Sequence, residues 1–179
     1  MLLICVNGKF SRRDKISGLR KCRGPYALRL IRLATGSKPS DTVGWQHFDH
    51  GADIGVRGVG VTRAQAFEQA ALALTAIVAP IDAVKPCQRI DVSAGNRDPE
   101  LLLVEWLDAL IFEMATRKML FSRFEVDIEA DHLRAGVWGE PIDVERHQPA
   151  VEVKGATLTE LKVAQMPDGM WIAQCIVDV

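Results

Sequence analysis

Residues 170–179 (MWIAQCIVDV) constrain the fold of this chain more than any other segment. Apolar side chains occupy both alternating faces of this run, which follows a Pro-Asp-Gly turn at residues 167–169. A strand that is apolar on both faces is buried on both sides, whereas a half-exposed strand alternates with polar residues. We therefore expect a strand in the middle of a sheet, held firmly in a region where most chains fray.

Two segments have the periodicity and the end signals of helices. The first begins with a capping box at residues 62–65 (TRAQ), repeats apolar residues at helical spacing and stops at Pro80. The second begins with Asp98 as N-cap and Pro99 in its first turn. The apolar stripe of the second helix consists of Leu103, Leu107, Leu110 and Met114. Each stripe predicts a helix with one face packed on a sheet.

Period-two alternation predicts strands before and after the second helix. Residues 124–130 place apolar side chains on one face and acidic side chains on the other. The other candidate strands are residues 54–59, 88–93, 133–137, 151–154 and 158–163, with an irregular turn at 47–53. Two helices packed on a mixed, mainly antiparallel sheet give a two-layer α+β sandwich.

Charge divides the chain into two parts. Residues 1–40 carry ten Lys or Arg and one acid, a formal +9, while the remainder carries twelve basic and twenty-two acidic residues, a formal −10. We interpret residues 1–40 as a flexible basic extension, or as a stretch read from a misassigned start codon, and residues 41–179 as a single domain. An acidic domain is poorly suited to binding a phosphate backbone directly, so contact with RNA is expected to be indirect.

The cellular location is predicted from what the sequence lacks. No apolar run approaches the roughly 20 residues needed to span a bilayer. The four cysteines show no paired metal or redox spacing. These features predict a cytoplasmic protein without a membrane contact.

Acidic residues at the two ends of the predicted domain form the strongest candidate metal site. Asp53 precedes a strand, and Asp178 lies one residue before the free α-carboxylate expected at Val179. If the first and last strands are neighbours, strand parity lets these three carboxylates converge. They would repel one another without a cation, and hard divalent ions prefer such oxygen ligands. The alternative is that Asp53 caps a turn and Asp178 is a solvated terminus.

Other polar residues admit two interpretations each. Asp49 and His50 could form an acid/base pair, or the histidine could bond to backbone in a tight loop. Arg146 and His147 lie in a Pro-flanked loop that could contact an anionic partner or simply be exposed. Asp49, His50, Arg146 and His147 are therefore candidates for facing a partner. Lys154 is interpreted as an ordinary strand-surface charge.

The sequence has no nucleophile elbow, P-loop, Rossmann fingerprint or zinc-ligand spacing, so no catalytic residue is assigned.

Seven segments between about Trp45 and Val179 together resemble the archease family. They are residues 48–56 (FDHGADIGV), 66–74 (AFEQAALAL), 102–107 (LLVEWL), 139–143 (GEPID), 146–147 (RH), 152–157 (EVKGAT) and 178–179 (DV). Each is weak alone, but their order and spacing are specific. Gly51 stands where many members have Thr, and residues 1–40 have no counterpart in the family pattern.

The resemblance implies a small non-catalytic cofactor protein that assists an RtcB-type RNA ligase in tRNA splicing and RNA repair. Such a protein speeds guanylylation and turnover of the ligase, which itself binds GTP, Mn²⁺ and RNA. The metal-binding pattern of the family falls on Asp53, Asp178 and Val179. We therefore expect a divalent metal ion, with Ca²⁺ as the first expectation and Mg²⁺ or Mn²⁺ as alternatives.

Two other functions compete with this one. A metal-dependent phosphohydrolase could use Asp53, Asp178 and His50 around one cation, and would turn over without a partner. A general chaperone or RNA-modification scaffold would suppress aggregation of unrelated proteins without metal. Ligation assays with the cognate ligase discriminate among the three.

Overall fold

The computed structural model describes residues 42–179. The predicted basic extension at residues 1–40 lies outside the described residues. The elements, in chain order, are β1 (Gly44–His50), β2 (Asp53–Gly60), α1 (Arg63–Val78), β3 (Gln88–Gly95), α2 (Pro99–Arg117), β4 (Met119–Glu129), β5 (His132–Pro141), α3 (Val144–His147), β6 (Gly155–Ala156), β7 (Lys162–Gln165) and β8 (Trp171–Asp178). A 3₁₀ turn at Ile81–Ala83 separates α1 from β3.

The strands of residues 42–179 form two antiparallel sheets. One has five strands in the order β1-β2-β8-β6, with β7 also paired to β8, and the other has three in the order β3-β5-β4. Strand β8 lies inside its sheet, with β2 on one side and β6 and β7 on the other, as its two apolar faces predict. The α+β sandwich is confirmed. The sequence predicted one mixed sheet, because alternation identifies a strand without identifying its partner.

One hydrophobic core joins both sheets to the two long helices. Buried side chains of α1 and α2 pack with those of β2 and β8 on one side and of β4 and β5 on the other. Trp106 of α2 is fully buried, and its indole N–H donates to the Phe67 carbonyl of α1 at 3.3 Å. The core therefore fixes the orientation of α1, α2 and the central strand β8 together.

Both long helices begin where their caps predict. The Thr62 hydroxyl accepts from the Gln65 N–H at 3.1 Å, while the Gln65 side chain accepts from the Val61 N–H at 2.8 Å. Asp98 accepts from the Glu100 N–H at 2.8 Å, with Pro99 as the first residue of α2.

Within residues 42–179, no helix combines the length and apolarity needed to cross a membrane.

Strand β2 is held against α1 by a close backbone approach at Gly58. A Cβ added there would lie 2.1 Å from the Ala66 oxygen and 2.4 Å from the Ala70 nitrogen, much closer than real contacts. Small residues on α1 thus allow β2 to pack directly on the helix backbone. This contact places the beginning of β2, at Asp53, relative to the core.

The segments around β8 differ most from prediction. Residues 151–154 are not a strand, and β6 is only two residues long. Three further hydrogen bonds join this irregular segment to β8, from the Lys154 N–H to Asp178, from the Thr157 N–H to Ile176 and from the Ile176 N–H to Thr159. The main-chain polar groups there form hydrogen bonds without a regular strand ladder, so the alternation of residues 151–154 predicted a strand that does not form.

The irregular turn predicted at 47–53 is also different in the structure. It is a hairpin, with β1 running to His50 and Gly51 at φ +64° in the turn.

Candidate metal centre

Asp53 and Asp178 lie next to each other at one end of the five-stranded sheet. The register of β2 and β8 ends with Ile54 opposite Val177, so the two aspartates are the next residue on each strand. Residues directly opposite each other share a face of a sheet, and successive residues alternate. Both aspartates therefore project from the face opposite Ile54 and Val177. The strand register therefore puts the two aspartates that the sequence singled out at neighbouring positions and on one face.

His50 lies on the same face of the sheet as Asp53 and Asp178, whereas Asp49 lies on the opposite face. His50 is opposite Asp53 in the β1–β2 hairpin, while Asp49 is opposite Ile54. Neighbouring residues on a strand project to opposite faces, so Asp49 and His50 cannot form the acid/base pair considered from sequence. Both residues are exposed. A histidine of this strand does bond to backbone, but it is His47, whose Nε2 lies 2.7 Å from the Ala73 oxygen.

Lys154 lies at the same end of the sheet. Its Nζ donates to the main-chain oxygen of Val179 at 2.9 Å and lies 3.9 Å from Oδ1 of Asp178. The side chains of Lys154 and Asp178 remain 64% and 50% exposed. The interpretation of Lys154 as an ordinary strand-surface charge was incomplete. Residues 151–154 do not form the predicted strand, and Lys154 lies beside Asp178 and Val179 instead.

The donor set suits a hard divalent cation. Two aspartate side chains and the oxygen of Val179 offer only oxygen atoms, the ligand type that Ca²⁺ and Mg²⁺ bind. Across residues 42–179, no three His, Cys, Asp or Glu side chains form a metal cluster. A cation here would thus depend on Val179 for its third protein ligand. The ammonium of Lys154 already lies 2.9 Å from the Val179 oxygen and 3.9 Å from Oδ1 of Asp178, so a positive charge is present beside two of these residues. Metal binding itself stays a prediction.

A second polar cluster, beside α3, is structural. His147 is fully buried, with Nδ1 accepting from the Asp143 N–H at 2.9 Å and Nε2 lying 3.2 Å from Glu140 Oε1. The hypothesis that His147 faces a partner is wrong, because its ring has no exposed surface. Arg146 donates to Glu140 at 2.7 Å and to the Ala83 oxygen at 3.0 Å, and about a third of its side chain stays exposed (33%). The cluster joins α3 to the segment before β3.

Glu140 is the centre of this cluster and should make stability depend on pH. Burial alone raises the pKa of Glu140, but hydrogen bonds from Arg146, the Lys85 N–H and His147 outweigh it and lower the pKa from 4.5 to about 2. A carboxyl whose pKa is lower in the folded state stabilises the protein above its unfolded pKa and loses that effect as pH falls towards the folded pKa. The contribution of Glu140 is thus complete at pH 7 and declines between about pH 4.5 and pH 2.

We expect Glu140→Gln to lower the free energy of unfolding by roughly 2–3 kcal/mol at pH 7. The difference from the unsubstituted protein should shrink below about pH 4.5, since the native carboxylate then loses its advantage. Urea denaturation at pH 7 and at pH 3.5 measures both. The matched control is Glu145→Gln at an exposed position of α3, which should change stability by less than about 0.5 kcal/mol. Equal stability of Glu140→Gln and the unsubstituted protein at pH 7 would remove this interpretation.

The fold and the site define a small α+β domain that carries a carboxylate cluster at the end of its central strand. A model of the Archease protein family (MTH1598/TM1083) matches residues 45–179, which is most of the chain. The chain therefore belongs to the archease family.

Individual relatives agree with this membership. The protein archease of Pyrococcus furiosus is 37% identical over 139 residues, a match that covers 75% of this chain and 98% of that protein. The protein archease of Methanopyrus kandleri is 34% identical over 139 residues, covering 75% of this chain and 99% of that protein. The solution structure of Methanobacterium thermoautotrophicum protein 1598 superimposes with a TM-score of 0.60 at 29% identity, over 76% of this chain and 99% of that one.

Proposed function

We propose that this protein is a non-catalytic cofactor of an RtcB-type RNA ligase, which it helps to become guanylylated and to turn over repeatedly in tRNA splicing and RNA repair. Membership of the archease family supports the proposal. The observation that supports it is the strand register, which puts Asp53 and Asp178 at neighbouring, partly exposed positions where β2 begins and β8 ends. Such a cluster can be presented to a partner, because it lies at the end of a sheet and not inside a closed pocket.

In this proposal a divalent cation is held by Asp53, Asp178 and Val179. When bound, the cation supplies a positive charge that can engage phosphate groups at the nucleotide pocket of the ligase. The protein's own residues bind and orient that ion. The central position of β8 supports this role, because two neighbouring strands keep Asp178 in place. Ca²⁺ is the first candidate, with Mg²⁺ and Mn²⁺ as alternatives.

Charge complementarity supports docking with the cluster towards the ligase. Residues 41–179 carry a formal charge of −10, and an RNA enzyme presents a basic surface to its substrate. His50 lies beside Asp53 on the same face and is exposed, so it belongs to the proposed contact surface. Arg146, although held by Glu140, retains exposed surface for a partner, as does Asp49.

The proposal is tested by RNA ligation with and without this protein. A substoichiometric amount of the cognate ligase is mixed with excess RNA bearing a 2′,3′-cyclic phosphate and a 5′-hydroxyl, with GTP and Mn²⁺. We expect more guanylylated ligase and a several-fold higher steady-state rate when the protein is present. A control without ligase should show no RNA or phosphomonoester hydrolysis, which would separate this function from that of a phosphohydrolase. Equal ligation rates in both arms would contradict the proposal.

A further inference from the structure

We infer that Lys154 is the resident counter-cation of the carboxylate cluster and that its ammonium group opposes binding of a divalent cation there. The inference rests on the proposed function, because it concerns the same oxygen atoms.

The backbone of Lys154 is fixed beside the last two residues of the chain. Its N–H donates to the Asp178 carbonyl at 2.9 Å, and the following residue, Gly155, pairs with Asp178 between β6 and β8. These bonds involve main-chain atoms only. Substitution of the Lys154 side chain therefore leaves the position of its backbone, and that of Asp178, in place.

The ammonium group contacts one oxygen atom that a metal would need and lies near a second. Nζ of Lys154 lies 2.9 Å from the main-chain oxygen of Val179 and 3.9 Å from Oδ1 of Asp178. These two residues supply two of the three proposed metal ligands. The side chain of Lys154 is 64% exposed, and ion pairs of such exposure are weak. The lysine can thus offset part of the charge of these carboxylates without a cation, and its ammonium group must be displaced from the Val179 oxygen when a cation binds.

The formal charges of the cluster indicate that Lys154 lowers its affinity for a divalent cation. Asp53, Asp178 and a carboxylate at Val179 sum to −3, and Lys154 reduces this to −2. A single positive charge a few ångströms from a bound dication opposes it, by an amount that solvent and salt reduce but do not remove at low ionic strength. Neutralising Lys154 should raise affinity for a divalent cation about tenfold at low salt. The lysine thus keeps the affinity moderate, which suits a site whose ion is exchanged at a partner.

Isothermal titration of the full-length protein with Ca²⁺ in metal-free, low-salt buffer tests this inference. We expect Lys154→Met to bind Ca²⁺ about tenfold more tightly than the unsubstituted protein. Lys154→Arg keeps the charge and should bind within about twofold of it. Lys162→Met, which removes the same charge from an exposed position of β7, should also bind within about twofold. Thermal melting with EDTA verifies that each variant is folded.

An Asp178→Asn arm separates this inference from the proposed function. If Asp178→Asn loses Ca²⁺ binding while Lys154→Met binds like the unsubstituted protein, only the inference on Lys154 is overturned. Weaker binding by Lys154→Met would also overturn it, since that result assigns the lysine to orienting the ligands. If Asp178→Asn binds as tightly as the unsubstituted protein, the metal is not held here, and the metal-based proposal fails together with the inference.

Discussion

Asp178→Asn is expected to abolish most of the several-fold stimulation of RNA ligation, bringing the multiple-turnover rate to within about twofold of that of the ligase alone. The substitution removes one of two adjacent carboxylates and replaces it by a neutral amide of the same shape. The Asp178 main chain keeps its bonds to Lys154 and Gly155, so the fold should survive. Asp53→Asn should have an effect of similar size, because the same cation depends on both residues.

The control for charge alone is Asp127→Asn, on an exposed position of β4 in the other sheet. It should leave ligation within about twofold of the unsubstituted protein. Combining Asp53→Asn with Asp178→Asn should cost little more than either change, since either one already disables the site. Full stimulation by Asp178→Asn with a normal melting temperature would exclude the cluster from the function.

Extension of the chain beyond Val179 is expected to have the second largest effect. A short peptide added there converts the Val179 carboxylate into an amide and crowds the end of β8. Loss of that charge should remove most of the several-fold stimulation of the ligase. Removal of residues 1–40 should have a much smaller effect, because those residues have no counterpart in the family match at 45–179. Ligation rates of the two forms, measured side by side, give the comparison.

The same peptide attached before Met1 is the control for a nonspecific effect of the tag. It should leave stimulation near that of the untagged protein. Full activity of the protein extended beyond Val179 would show that its carboxylate is not a ligand, while leaving the roles of Asp53 and Asp178 open to their own test.

Much of the fold followed from local signals in the sequence. Thr62 and Asp98 cap their helices as predicted, and the apolar run at 170–179 contains the central strand β8. These signals are local, because a cap or a doubly apolar strand has the same physical cause in any fold. The division into two sheets did not follow, because pairing depends on contacts between residues distant in sequence.

The candidate site was only partly predictable. Parity placed Asp53 and Asp178 on one face because each lies at the end of a well-marked strand. The contact of Lys154 with Val179 escaped prediction, since residues 151–154 alternate like a strand but bond irregularly to β8. The burial of His147 was not predicted for a different reason. Its Pro-flanked surroundings indicate an exposed loop, whereas Glu140, seven residues earlier, supplies a buried partner for its ring.

A bound cation can be located directly by anomalous X-ray scattering from crystals of the full-length protein grown with Mn²⁺. We predict one strong anomalous peak within coordination distance of carboxylate oxygens from Asp53, Asp178 and Val179, with the Lys154 ammonium displaced from the Val179 oxygen. A structure at saturating Mn²⁺ with no peak there, or with Mn²⁺ bound only elsewhere, would contradict the assignment of this cluster as a metal centre.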